Sequence, residues 1–437
     1  MARCGRGRRF LLLGTGFAAA WVLLWAGCGW PDDPAASPDA NGSLTSTQQP
    51  EVVLAGTSER PPAADQFAEV EPNDGFETAQ PISFLETVRL NGAIAGQKIP
   101  LDVDIYDLGA VGPGDRVLAD LTIEPGGDVI LGLLDDRLRL IGHIDPSSAT
   151  SGPRQADVVI REASSRLYVA VGTRSSLSID RPYQAGVSVQ RDAVRPSSRP
   201  QIVVLDFSGA AGVRIGSRPP VDVPPFDAAV INPAYQGRTQ EMIAAILLAV
   251  REDFAGLEVA VYRDGDPDLP AGPRSTVYYG TFDSRLLGLA DNVDPYNADA
   301  EQSAILFTDT FALFNPLAPS LAQMTQVLAN TTSHEAGHLL GLRHTSDPAD
   351  LMDTTATARQ MMADQDFGFA GLNASVMPVG FQDAPALLSW TVGGGLLTPS
   401  AGKTAERLKA VESAGGPDDF YIPRSWLMTC SCHPCGG

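Results

Sequence analysis

Eleven residues, His334 to His344 in the order HEAGHLLGLRH, constrain this chain more than any other feature. His334 and His338 are four apart, so a helix sets them one turn above the other on a single face, where both imidazoles can reach one ion. Glu335 lies beside them, too close in sequence to His334 to share that ion easily, and well placed to take a proton from a water held there. Gly341 ends the helix, because glycine accepts the left-handed backbone that turns the chain sharply and returns His344 as a third ligand. The fourth position is left to water. Polar residues scattered over a helix surface are the plain alternative, and composition opposes it: the chain has 5 histidines in 437 residues, and three of them fall in this window. Three neutral imidazoles leave a zinc ion its full charge, so the expected chemistry is hydrolysis by an ion-activated water with Glu335 as general base and no Ser or Cys nucleophile.

Eight residues beyond His344, in HTSDPADLMD, stands Met352. The HExxHxxGxxH pattern followed by this methionine resembles the metzincin metallopeptidases, and GLxH…LM is most similar to their matrixin-type branch, from which Thr345 departs where Ser is usual. The resemblance implies a zinc-dependent endopeptidase with His334, His338 and His344 as zinc ligands, Glu335 as catalytic base and Met352 in a turn beneath the metal. Asp353 stands where some members carry a tyrosine ligand, which implies that none is used here. An α+β catalytic domain is implied as well, with a mixed twisted sheet, the active-site helix and a smaller C-terminal subdomain. In that family the segment corresponding to Leu286 to Ala290 is the edge strand along which an extended substrate pairs. Ser346 and Asp347 are candidates for orienting a histidine ring; turn opening before Pro348 is the alternative for Asp347. A reading from a different class is a non-enzymatic surface adhesin with a structural zinc site. Glu335 discriminates the two, because a structural site has no use for a base.

The chain start bears on the compartment. Arg3, Arg6, Arg8 and Arg9 precede an apolar run from Phe10 to Gly27, and Cys28 follows Leu24-Trp25-Ala26-Gly27. This is the layout of a signal peptide over residues 1–27, and the small residues before Cys28 resemble a bacterial lipoprotein box. Lipid attachment at Cys28 is expected, with an outer-membrane or cell-surface location; simple secretion and an uncleaved anchor are the alternatives. The formal net charge of −21 argues against nucleic acid as a partner, since phosphates are repelled. The expected partners are a protein or peptide substrate and, through the anchor, a membrane.

Composition divides the rest into a multidomain chain. Residues 28–66 are rich in Pro, Ala, Ser, Asp and Thr and read as a flexible tether. Residues 67–191 alternate in short runs, such as Val117 to Ile123 and Val129 to Leu134, between Gly, Pro and Asp turns, which predicts an N-terminal antiparallel β-sandwich. EVEPNDGFETAQPI, DVDIYDLGAVGPGD and RLYVAVG within it resemble the bacterial pre-peptidase C-terminal domain family, accessory modules of secreted peptidases that carry no chemistry themselves. Glu71, Asp74, Asp102 and Asp104 are calcium candidates there, with turn capping as the alternative. After a linker at 192–200, residues 201–395 are expected to form the catalytic domain. Its strands are predicted at Ile202 to Phe207, Leu257 to Tyr262, Thr276 to Thr281 and Ser303 to Thr308. Helices are predicted over Thr239 to Phe254, from Ser320, and over Phe381 to Trp390. Two acidic loops, Asp264 to Asp268 and Asp291 to Asn297, suit calcium or simple turns; Asp291, Asp294 and Asn297 are the preferred calcium ligands. The tail, 396–437, gathers Cys430, Cys432 and Cys435 around His433. A disulfide with one free thiol, a soft-metal site and an inhibitory thiolate all fit that cluster.

Overall fold

The computed structural model describes residues 64–395 apart from 84–85, 99, 125–127, 146–153 and 175–176, together with the backbone of Thr429–Cys430. The segment 1–27 expected to be a signal peptide, Cys28, Cys432, His433 and Cys435 lie outside the described residues.

The N-terminal half is built of strands. Its first five are β1 (Asp65–Ala68), β2 (Gln80–Pro81), β3 (Thr87–Ile94), β4 (Val103–Asp107) and β5 (Arg116–Ile123). The next five are β6 (Val129–Leu134), β7 (Leu140–Ile144), β8 (Arg154–Val159), β9 (Tyr168–Thr173) and β10 (Arg181–Gln190). They form two five-stranded sheets, ordered β1-β3-β10-β5-β8 and β2-β4-β9-β6-β7. All pairings are antiparallel except the short β1 on β3 and β2 on β4. Alternation explains the core. Val117, Ala119 and Leu121 of β5 face inward with Val187 and Ala185 of β10, and meet Leu131, Leu133 and Val169 from the other sheet.

β6 and β9 are buried along their whole length, as a strand must be when both its faces are covered. Their second face, Ile130, Leu134, Tyr168 and Ala170, packs against Leu372, Val376 and Met377 from the C-terminal half in one continuous apolar cluster. Arg139 seals the same boundary. Its guanidinium bonds Asp135 at 2.6 Å and Glu162 at 2.8 Å within the first half, and reaches Asp383 of the second at 3.3 Å.

The second half opens with β11 (Gln201–Asp206), the hairpin β12 (Ala210–Val213) and β13 (Val221–Val223), and the short helix α1 (Ala228–Ile231). Helix α2 (Thr239–Asp253) follows, burying Met242, Ile243, Ile246 and Val250 at helical spacing. Next come β14 (Val259–Arg263), β15 (Ser275–Tyr279), β16 (Gly288–Ala290) and β17 (Ser303–Leu306), and then helix α3 (Leu321–Leu339). β18 (Phe369–Gly371) pairs with β19 (Phe381–Asp383), α4 (Ala384–Val392) follows directly, and β20 (Thr429–Cys430) ends the described chain. Six strands make the sheet, in the order β14-β11-β15-β17-β16-β20, with β16 antiparallel to β17 and the other pairs parallel. α3 packs beneath this sheet and beside α2, in a core that includes Val203, Val277, Leu306, Met324 and Leu328.

The predicted strands and the first two helices agree with these elements to within a few residues. The last helix differs. Phe381 to Asp383 is strand rather than helix, because Asp383 is the cap: its carboxylate accepts from Ala386 N at 3.1 Å, and Pro385 sits in the first turn, where its missing amide costs nothing.

One buried carboxyl makes the stability of the first half pH-dependent. Asp104 is fully buried; one oxygen accepts from Tyr183 Oη at 2.7 Å and the other has no partner. Burial, followed by the opposing Tyr183 hydrogen bond, leaves its pKa pushed up to about 8. The folded state therefore keeps a proton that the unfolded chain loses near pH 4, so the native state is favoured below that pH and loses stability as pH rises toward 8. Asp104→Asn keeps the acceptor for Tyr183 and removes the charge. In calcium-free buffer its unfolding free energy at pH 8.5 should exceed wild type by on the order of 1–3 kcal/mol, with the gap closing below pH 5. Denaturant titrations at the two pH values check this.

Candidate metal centre

α3 starts where local chemistry dictates. The Ser320 hydroxyl accepts from Gln323 N at 3.2 Å, and Gln323 Oε1 accepts from Ser320 N at 2.9 Å, a reciprocal cap that fixes the helical phase fourteen residues before the first histidine. The later turns bury a polar run from Asn330 to Glu335. Its first four members are satisfied in turn. Asn330 Nδ2 donates to the carbonyls of Met361 at 3.0 Å and Ala363 at 2.7 Å, Thr331 and Thr332 donate back to Val327 and Leu328, and Ser333 Oγ bonds Asp253 at 2.6 Å.

At His334 the pattern stops. His334 Nδ1 faces the Leu351 carbonyl at 2.7 Å, yet its Nε2 and both carboxylate oxygens of Glu335 are buried without partners. His338 Nδ1 faces the Leu342 carbonyl at 2.8 Å, and its Nε2 lies 3.0 Å from Nε2 of His344. The ligand atoms of His334, His338 and His344 all fall within 4.8 Å of one another. A tetrahedral ion with nitrogen ligands at about 2.0–2.1 Å holds them about 3.3 Å apart, so the three rings are close to a coordination shell. The carbonyls on Nδ1 fix the tautomer and aim the other nitrogen of His334 and of His338 at the shared point.

The electrostatics agree with the geometry. Burial lowers all three imidazole pKa values, His338 to about 4 and the others well below the ordinary value, with mutual repulsion adding at His334 and His344. They are therefore neutral at physiological pH and present lone pairs without proton competition. Burial alone pushes Glu335 well above the ordinary carboxylate range. Three convergent neutral nitrogens and an orphaned buried carboxylate fit a divalent transition-metal ion and suit no obvious packing role.

The chain beyond the helix closes the site. Leu340 caps α3, and Gly341 takes φ 93°, a left-handed turn that brings Leu342 and His344 back. A side chain at Gly341 is excluded twice over, since its Cβ would also fall 3.0 Å from Asp294 O and Pro295 Cα. Met352 is fully buried, and its sulfur lies where a Cβ on Gly337 would stand, at 2.7 Å. Thr345 N donates to Met352 O at 2.9 Å, tying this turn to the segment that carries His344.

Asp350 is the residue that sequence reasoning missed. Its carboxylate accepts from Met352 N at 2.7 Å, Thr345 Oγ1 at 3.1 Å and Gly368 N at 2.9 Å, and so shapes the turn whose Leu351 carbonyl orients His334. The available signal was an acid two residues before Met352, set between Ala349 and Leu351. Ser346 and Asp347 do not touch a histidine. Ser346 Oγ is directed to the carbonyls of Gly371 and Leu372, and Asp347 caps Ala349 N at 3.0 Å, so backbone carbonyls do the orienting instead. Asp353, not expected to coordinate, accepts from Thr355 N and Thr355 Oγ1.

The acidic calcium candidates accept hydrogen bonds from the protein. Asp291 accepts from Gly216 N at 2.7 Å and Ser303 N at 2.6 Å, and Asp294 from Asp299 N at 2.9 Å, whereas Asn297 donates through Nδ2 to Gln201 Oε1 at 2.7 Å and leaves its Oδ1 buried without a hydrogen-bond partner. In the other loop Asp264 and Asp266 accept from the amides of Phe207 and Asp268. In the sandwich, Glu71, Asp74 and Asp102 converge, and so do Glu69, Glu71 and Asp104. The Lys98 ammonium stands among the first three, at 2.8 Å from Asp74, 3.3 Å from Glu71 and in contact with Asp102, and supplies a counter-charge.

No family model matches the chain, and no curated protein matches it in sequence. Among solved structures, archaemetzincin from Methanopyrus kandleri is 12% identical over 40% of this chain and 91% of its own, with a TM-score of 0.23. The pre-peptidase C-terminal domain of a Bacillus anthracis collagenase is 17% identical over 26% of this chain and 94% of its own, with a TM-score of 0.19. PliG, a periplasmic lysozyme inhibitor from Aeromonas hydrophila, is 16% identical over 29% of this chain and its full length, with a TM-score of 0.21. Likenesses this weak carry no argument about activity.

His338→Ala should lower affinity for a divalent transition metal at least tenfold, because two imidazoles do not enclose an ion. Asp350→Ala should retain the three ligands but destabilise the chain by about 2–3 kcal/mol, since two buried donors and one half-buried donor lose their acceptor. Metal titration against a chromophoric chelator and thermal melting separate the two effects.

Proposed function

We propose that this protein is an exported, metzincin-like zinc metalloendopeptidase. The observation that carries the reading is the convergence of His334, His338 and His344 beside a buried Glu335 carboxylate with no other partner. Nitrogen ligands in a compact group suit zinc among the common divalent ions. Zinc, when bound there, supplies a Lewis acid that polarises a carbonyl and lowers the pKa of water.

The chain's own residues do the rest. Glu335, held in a dry site where burial raises its proton affinity, is suited to accept a proton from water and deliver it to the departing amine. The Leu351 and Leu342 carbonyls hold the His334 and His338 rings in one tautomer, so that two ligands need no rearrangement. Met352 floors the site against Gly337. β16 runs beside the carboxylate: a Cβ on Gly288 would fall 2.3 Å from Glu335 Oε1, so backbone alone lines the site there. A strand edge in that place suits recognition of an extended peptide through its main chain, with side-chain preference left to neighbouring pockets. A lipid on Cys28 would place the enzyme at the cell surface, with residues 28–66 as tether.

The adhesin reading gives Glu335 no purpose, and burying an unpartnered carboxylate costs stability without return. Glu335→Ala spares every nitrogen ligand and removes the base. It should keep its zinc, measured by mass spectrometry of the metal, while kcat on a peptide library falls by about 10²–10⁴-fold. Near-normal turnover with zinc retained would contradict the assignment.

A further inference from the structure

We propose that the C-terminal segment around Thr429–Cys430 is a built-in competitor for the strand edge beside Glu335, so that it must leave before an extended substrate can pair there. The inference rests on the peptidase reading above and adds a control to that same site.

β16 has two edges. One pairs antiparallel with β17, Leu289 opposite Ile305. The other is taken by β20 in parallel register, Leu289 opposite Thr429 and Ala290 opposite Cys430. β16 is also the strand that shares a wall with the Glu335 carboxylate, through Gly288. A segment on its outer edge therefore takes the backbone donors and acceptors that an incoming strand needs. A second observation points the same way. On the other side of β16, His334 Nε2 and both Glu335 carboxylate oxygens are buried, and Glu335 as a whole has 0% exposure. A peptidase that acts on chains larger than water has to open such a site.

The occupant is suited to competition rather than to permanent closure. Edge pairing reads main chain, so any extended segment can replace it, and two paired residues make a weak contact on their own. Attachment through the same chain compensates: a tethered segment is present at an effective concentration on the order of millimolar, which a substrate at micromolar concentration must overcome. Release therefore needs only removal or capture of the tail, with no change in the metal site.

The test compares three zinc-loaded proteins: the full chain, a chain ending at Met428, and the full-length double variant Thr429→Pro, Cys430→Pro, which lacks both amide donors. The probe is a fluorescein-labelled peptide with the sequence of residues 424–433, its cysteines replaced by serine, read by polarisation alongside turnover of a peptide library. The shortened chain and the proline variant should bind the probe about tenfold or more tightly than the full chain, and show a KM lower by a similar factor with kcat little changed. Equal probe binding by all three overturns the inference, whatever the turnover. Binding gained without turnover in any form supports the tail assignment and sinks the peptidase reading, whereas turnover with equal binding and equal KM does the reverse. If neither altered chain folds, hydrogen exchange in the unaltered protein decides: protection at Thr429 and Cys430 supports the pairing, and exchange at the rate of an unstructured chain overturns it.

Discussion

The rest of the second half is arranged around one cost, the burial of two imidazoles and a carboxylate at the end of α3, with the half-buried ring of His344 brought against them. Polar side chains in the preceding turns are buried too, but each finds an acceptor or donor within the protein. His334 and Glu335 do not, and an unpartnered buried polar group costs on the order of 1–3 kcal/mol. The arrangement becomes intelligible when the missing partner is a cation: the same burial that penalises charge keeps the imidazoles neutral and ready to coordinate, and raises the proton affinity of the carboxylate.

Holding that arrangement requires the chain after the helix to be as well defined as the helix. Gly341 supplies the turn, Asp350 gathers the segment that carries Leu351 and Met352, and Asn373 N bonds the His344 carbonyl at 3.0 Å. Leu372, Val376 and Met377, which flank Asn373, are the residues that pack on β6 and β9. The N-terminal sheets thus buttress the segment that positions the third histidine, although no side chain of theirs belongs to the histidine group. Large side chains fully buried in such a cluster contribute roughly 1.5–3 kcal/mol each, so this boundary is a structural joint more than a loose attachment.

How much of this could be read from sequence depended on how local the cause was. The start of α3 was legible because Ser320, after Pro319, is a residue type that caps helices, and its histidine face because four residues make about one turn; the reciprocal bond from Gln323 emerged only in the fold. The run Val129 to Leu134 carried a sign of two-sided burial, but nothing in it named Leu372 or Met377 as the cover. The carbonyls that orient His334 and His338 were invisible, since every residue has one and only the folded turn decides which is near. Ser346 and Asp347 looked better placed than Asp350 because they are nearer in sequence to His344, yet the return of the chain at Gly368 gives Asp350 the central position. β20 had no sequence signature, because two residues without alternation become a strand only when an edge is offered.

The central claim is that three histidines hold a zinc ion whose remaining position is open to chemistry. X-ray absorption at the zinc edge of the metal-loaded full chain reads the ligands directly. The account predicts three imidazole nitrogens at about 2.0–2.1 Å and an oxygen that is displaced by a small zinc-binding inhibitor such as a hydroxamate. A closed shell of four protein ligands, with a fourth imidazole or a sulfur at about 2.3 Å and no response to the inhibitor, would contradict it.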